Sequence, residues 1–204
     1  MKTIGIELNH VIRNINKQLL KYYSRDINPS LDIDGIDEHD NVLGKYIKFD
    51  NISDKNNFIY IDYPFEIFGC APIAEKNLNA MLTMWIENLS NVEDDDFNVM
   101  FFSLDENEIS IQSTYFFLSK IGSRVRKVVF PTNDSDVWNE CDVVITANRA
   151  LIESEKPSDK KIIMIERNFN QDLKDKADAV YDNLSSLLND DDFFKKILSS
   201  SQDK

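Results

Sequence analysis

The sequence predicts an α/β fold, a parallel sheet with helices on both faces. Three observations predict it. Short apolar runs rich in Ile and Val recur along the chain, stretches with three- and four-residue apolar spacing separate them, and from residue 98 onward strand-like and helix-like segments alternate.

The elements follow in order. Residues 3–8 read as a buried strand, with Ile4, Ile6 and Leu8 alternating around Gly5. A helix is expected over 11–23, where Val11, Ile15, Leu19 and Tyr22 share a face. Pro29 and an Asp/Asn-rich run to Asp40 interrupt the pattern. Asp32, Asp34, Asp37, Glu38 and Asp40 superficially resemble a calcium loop, but its glycine and closing glutamate fall at the wrong offsets, so a solvated acidic loop is expected. Residues 58–63 read as a second strand ended by Pro64. Leu78, Met81, Leu82, Trp85, Ile86 and Leu89 make an amphipathic helix over 73–89, and 91–96 an acidic turn. Next come a buried strand at 99–102 with Ser103 at its C-terminal end and a helix over 108–121 stopped by Gly122. Strands at 125–130 and 142–145, a short helix at 149–154, strands at 161–165 and 179–181, and a closing helix over 184–198 complete the chain. The expected organisation is a core of 1–23 and 97–204 with an inserted lobe, 24–96, capping the C-terminal edge of the sheet, where open α/β sheets bind ligands.

Composition narrows the function classes. The chain has 204 residues, enough for one core with an inserted lobe. No apolar run approaches the ~18 residues that a membrane helix needs. The N-terminal segment lacks the features of a signal peptide, so a cytoplasmic or virion location is expected rather than secretion by that route. With 23 basic against 36 acidic residues, the net charge of −13 disfavours direct nucleic-acid binding and suits a basic protein partner. Cys70 and Cys141 lie far apart with no local motif and read as buried thiols in a reducing compartment, a lone disulfide being the alternative. The chain holds 23 Ile against 7 Ala, 17 Lys against 6 Arg, and 21 Asn, a skew typical of an AT-rich genome.

The segment Ile4-Gly5-Ile6-Glu7-Leu8-Asn9-His10-Val11-Ile12 follows a pattern found elsewhere: a first strand ending in two acidic positions one residue apart, then a glycine and apolar residues. Val99-Met100-Phe101-Phe102-Ser103 supplies a serine at the end of the next core strand. Cys141-Asp142-Val143-Val144-Ile145-Thr146-Ala147-Asn148 matches a later strand that precedes an acidic pair. On these motifs the chain resembles the haloacid dehalogenase-like superfamily of phosphohydrolases, of the 5′-nucleotidase type. The resemblance covers the first strand and most of 98–185, including Lys161-Ile162-Ile163-Met164-Ile165-Glu166-Arg167-Asn168-Phe169-Asn170. It implies a Rossmann-like sheet with a small cap. It also implies a nucleophile position at Glu7, an acid/base position at Asn9, a phosphate-binding Ser103, a charge-neutralising lysine for which Lys120 or Lys127 is the candidate, and magnesium-holding positions at Thr146 and Asn148.

The chemistry at those positions is degraded. Glu7 is one methylene longer than aspartate, and a displacement of about 1 Å can cost on the order of 10²-fold in rate. Asn9 cannot shuttle a proton. Thr146, Ala147 and Asn148 offer magnesium no carboxylate, and His10 stands where the family has a tightly turning glycine. His10 and His39 are the only histidines and lack metal-ligand spacing, and five glycines form no phosphate-binding loop. No catalytic residue, metal site or cofactor is therefore expected, Glu7, Asn9, Ser103, Thr146 and Asn148 being vestigial positions. The sequence points to an inactive domain that serves as a structural or protein-binding component of a multi-subunit assembly, specifically a phage virion. Its partners would be other protein subunits, with neither nucleic acid nor membrane. The alternatives are a magnesium-dependent phosphatase or 5′-nucleotidase with altered motifs, and a non-hydrolysing nucleotide or phosphate binder using Ser103 and Lys120.

Overall fold

The computed structural model describes residues 2–89, 97–104, 106–190, 192 and 193. Strands Lys2–Glu7 (β1), Phe97–Phe102 (β2), Lys127–Val129 (β3), Val143–Thr146 (β4), Lys161–Ile165 (β5) and Ala179–Tyr181 (β6) form one all-parallel sheet in the order β3-β2-β1-β4-β5-β6. This is the doubly wound, Rossmann-like order, and it puts the topological switch point between β1 and β4. The expected α/β class is the observed one.

Alternation along the strands builds a core on each face. Ile4, Ile6, Val99, Phe101, Val143, Ile145, Ile163 and Ile165 point into one, with Leu19 and Leu20 of helix Ile15–Asp26 (α1), Leu78, Leu82 and Trp85 of helix Leu78–Leu89 (α4), and Phe117 and Leu118 of helix Glu108–Ile121 (α5). Met100, Phe102, Val144, Ile162 and Met164 point into the other. There Val137 and Trp138 of helix Asp134–Glu140 (hereafter α6) and Leu151 and Ile152 of helix Arg149–Glu153 (α7) cover them. Segment 24–96 lies in the β1-to-β2 crossover, and its Phe58, Ile59, Ile67 and Phe68 join the first of these cores. In that crossover the short helices Val42–Lys45 (α2) and Ile52–Asn57 (α3) precede the π-helical turns Phe58–Asp62 and Phe65–Gly69. Helix Leu184–Leu188 (α8) follows β6. Among the described residues no helix is long and apolar enough to cross a membrane.

Several elements differ from expectation. Within the strand expected at 58–63, Phe58–Asp62 winds as a π-helical turn. A short apolar run carries no decisive period, and α3, capped by Asn51 accepting from Asp54 N at 2.9 Å, feeds helical winding directly into it. The first helix begins at Ile15 instead of residue 11. Residues 8–13 close a tight loop in which Ile12 N and Arg13 N both donate to Leu8 O at 3.0 and 2.9 Å. The helix predicted from 73 begins at Leu78, because Asn77 adopts a left-handed φ of 62°. The closing helix stops at Leu188; 194–198 and the acidic turn at 91–96 lie outside the described residues. Helix α6 was not expected, being too short to show a period. Both cysteines are free thiols.

Gly5 lets β1 pass close to the second core, for a Cβ there would overlap Cys141 Sγ and lie 3.3 Å from a Phe102 ring carbon. Gly5→Ala is expected to destabilise the fold by about 1–3 kcal/mol in urea unfolding, and adding Cys141→Ala to recover most of that loss.

Candidate functional site

The sheet register decides which predicted residues meet. Ile6 pairs with Ile145, so Glu7 falls beside Thr146 across the switch point. Glu7 also pairs with Phe102, so the residues just beyond, Asn9 and Ser103, leave the sheet side by side. Glu7, Asn9, Ser103, Thr146 and Asn148 thus gather at the C-terminal ends of β1, β2 and β4, where they divide into two clusters.

In the first cluster Glu7 is 2% exposed. Its Oε2 accepts hydrogen bonds from Thr146 Oγ1 at 2.5 Å and from the backbone amides of Ala147 and Asn148, both at 3.1 Å. Asn148 caps α7, its Oδ1 accepting from Ala150 N at 2.9 Å. Burial pushes the Glu7 carboxyl up from 4.5 to about 7, against the hydrogen bonds, which favour the anion. A phosphoryl nucleophile must be ionised and present a free lone pair to the substrate. Glu7 instead has one oxygen wrapped in three donors and titrates near neutrality. The two amides cannot ligate a magnesium ion, which takes oxygen ligands, and the Thr146 hydroxyl is committed to Glu7.

The second cluster is built on Arg13, whose side chain is fully buried. Its Nε donates to Asn9 Oδ1 at 2.8 Å, and its Nη1 to Thr114 Oγ1 at 2.7 Å and to Phe68 O at 3.2 Å. Nη2 lies 3.5 Å from Ser103 Oγ and forms an ion pair with Glu106, whose side chain is also fully buried. Thr114 Oγ1 donates to the second Glu106 oxygen at 2.6 Å, and Asn9 Nδ2 to Ser103 Oγ at 3.2 Å. The rings of Phe68 and Phe117 stand 5.1 and 5.6 Å from the guanidinium. Burial lowers the Arg13 pKa and the Glu106 charge pulls it back up. A cation that could serve an incoming oxyanion is here occupied by the chain's own carboxylate, and the serine hydroxyl by Asn9 and Arg13.

The loop joining the clusters is equally tied down. His10 adopts a left-handed φ of 65°, the conformation that glycine would take without strain, and its N donates to Arg13 O at 2.9 Å. Its carbonyl accepts from Arg167 Nε and Nη2 at 3.1 and 2.6 Å. Burial, then the Arg167 and Arg13 charges, hold the His10 imidazole down at about 4, so it is neutral at physiological pH. Neither candidate lysine joins the site. Lys120 Nζ donates to Gly69 O and Ala71 O, each at 3.1 Å, and Lys127, at the N-terminal end of β3, pairs with Glu140.

Arg13, Glu106 and Thr114 were not foreseen as site residues. Arg13 leaves a trace in the sequence, a cation inside the apolar run from Val11 to Ile15. Glu106 and Thr114 leave none, because their partner lies 93 and 101 positions away. Among the described residues no cluster of three His, Cys, Asp or Glu side chains is arranged for a metal ion. A cleft of about 420 Å³ opens beyond the site, beside the ends of β5 and β6, lined by His39, Glu75, Arg167, Asn168, Gln171 and Asp182 among others. No protein-family model matches the chain, and no curated protein does.

Two outcomes follow from these clusters. Removing one partner of a buried ion pair strands the other charge, so Arg13→Met and Glu106→Leu should each cost about 3–5 kcal/mol in chemical denaturation. The double substitution should recover at least half of the summed loss. For Glu7 the folded pKa lies above the unfolded one, so the stability it confers is present below pH 4.5 and is lost as pH rises to about 7. Glu7→Gln keeps acceptors for the three donors and abolishes this dependence. Relative to the parent it should gain about 3 kcal/mol between pH 4.5 and pH 8. His10 acts in the opposite sense, its contribution falling as pH drops from 6.5 to about 4; comparing the two proteins at matched pH cancels it.

Proposed function

We propose that this chain is a phosphohydrolase-like α/β domain whose reaction site is filled by its own side chains, and that it serves as a protein-binding component of a multi-subunit assembly such as a phage particle. The Arg13–Glu106 pair carries the reading. A functioning oxyanion site needs donors held ready and an opening for the substrate. In this chain the arginine is bonded to the threonine and to the serine hydroxyl, and the arginine and the threonine are bonded to an internal carboxylate. Glu7 adds support, since its one bonded oxygen already accepts three donors. Asn9 adds more, because it spends its amide on Ser103 and its carbonyl on Arg13 and has no proton to exchange. Such a fold, freed of its chemistry, is available for association.

The test is magnesium-dependent release of phosphate from a panel of nucleoside monophosphates. The parent protein is expected to give none above background, and Glu7→Asp/Asn9→Asp at most a trace. Turnover by the parent that Glu7→Gln or Ser103→Ala abolishes would overturn the proposal.

A further inference from the structure

The geometry points to a docking strip on the outer face of α5 and the two π-helical turns, shaped for a protein segment that presents apolar side chains flanked by lysine or arginine, such as a basic amphipathic helix. The inference rests on the protein-binding reading above and names its surface. Among the described residues nine large apolar side chains are exposed. Ile61, Phe65, Ile109, Tyr115 and Phe116, five of the nine, belong to these three elements, at 61%, 45%, 51%, 53% and 44% exposure.

Contacts between these elements join part of the set. Ile109 and Phe116 lie two turns apart on one face of α5. The Phe116 ring packs on Phe65 with centroids 4.8 Å apart, and Tyr115 meets Phe130 at 5.7 Å. Gly69 permits the close approach of the second turn, since a Cβ there would sit 3.2 Å from Ser113 O. At the N-terminal end of α5 the strip runs into a groove of about 380 Å³ lined by Asn56, Asn57, Tyr60, Ile61, Glu106 and Asn107. Monomeric proteins seldom leave such an aromatic strip to water, and an exposed patch rimmed by polar groups marks an interaction site.

Charge selects the partner. The charged residues of these three elements are Asp62, Glu66, Glu108 and Lys120. Among the described residues the three acids have no ion pair or side-chain hydrogen bond, whereas Lys120 turns its ammonium back onto Gly69 O and Ala71 O. The three elements that carry the apolar side chains therefore offer three acids and no free cation among the described residues. A second copy would bring the same acids against them, so the complementary occupant is a different, basic chain.

The probe is an 18-residue Leu/Lys amphipathic helix, titrated against the full-length protein by fluorescence anisotropy at low and raised salt, beside a Leu/Glu peptide of the same pattern. The Leu/Lys peptide is expected to bind and the Leu/Glu peptide not. Phe65→Ser/Phe116→Ser should weaken binding at least about tenfold. Asp62→Asn/Glu66→Gln/Glu108→Gln should remove most of the salt dependence, and Ile52→Ser/Met84→Ser, on other elements, should change neither. Circular dichroism confirms that each variant is folded. No binding, equal loss in the Ile52/Met84 control, or indifference to the aromatic pair would overturn the inference. So would self-association by sedimentation that the aromatic pair abolishes, which would put a second copy on the strip. Hydrolytic turnover would refute the filled-site proposal and leave this strip untouched, so the two failures are distinguishable.

Discussion

The interaction on which the rest of the arrangement depends is the buried pair of Arg13 and Glu106. Arg13 belongs to the loop after β1, Glu106 to the segment after β2, Thr114 to α5 and Phe68 to a π-helical turn. One guanidinium thus fixes the relative positions of four segments that arrive from distant parts of the chain. Such a pair adds little to net stability, because desolvating both charges offsets most of their attraction. Its effect is on geometry: the cation holds a carboxylate, a hydroxyl and a carbonyl partner in place by hydrogen bonds that leave each of these buried groups paired.

That commitment propagates to the switch point. Because Arg13 N and Ile12 N both bond to Leu8 O, the loop turns tightly, and His10 bears the left-handed conformation in place of a glycine. Its carbonyl then faces Arg167, which also donates to Glu166 O and Asp182 O and so ties the ends of β1, β5 and β6 together. Glu7 and Thr146 close the gap between β1 and β4 from within. At the switch point between β1 and β4 the chain's own polar groups bond one another, while among the described residues a cleft opens at the ends of β5 and β6 and apolar side chains are exposed along α5.

What the sequence made legible follows from how local each signal is. The strands declared themselves through alternation or continuous apolar runs, and α5 through the Gly122 that stops it, at φ 65° in the structure. Short turns were less legible. Residues 58–62 hold apolar side chains at nearly every position, so strand and helix read alike, and Asp134–Glu140 has only Val137 and Trp138 to bury. Glu7, Asn9, Ser103, Thr146 and Asn148 could be singled out because the segments that carry them resemble known motifs at the ends of strands. Their partners could not. An Arg13 that reaches Glu106 and Thr114 across the fold, or a Lys120 that turns away to Gly69 and Ala71, follows from tertiary packing and leaves no spacing to read.

The most direct measurement is the proton–nitrogen NMR spectrum of the Arg13 guanidinium, titrated with magnesium and inorganic phosphate to millimolar concentration. A side chain locked between Asn9, Thr114 and Glu106 predicts an Nε–H resonance that exchanges slowly with water and does not move during the titration. Rapid exchange, or a shift that saturates with phosphate and disappears in Ser103→Ala, would contradict the account by revealing an open anion site where the structure places an internal ion pair.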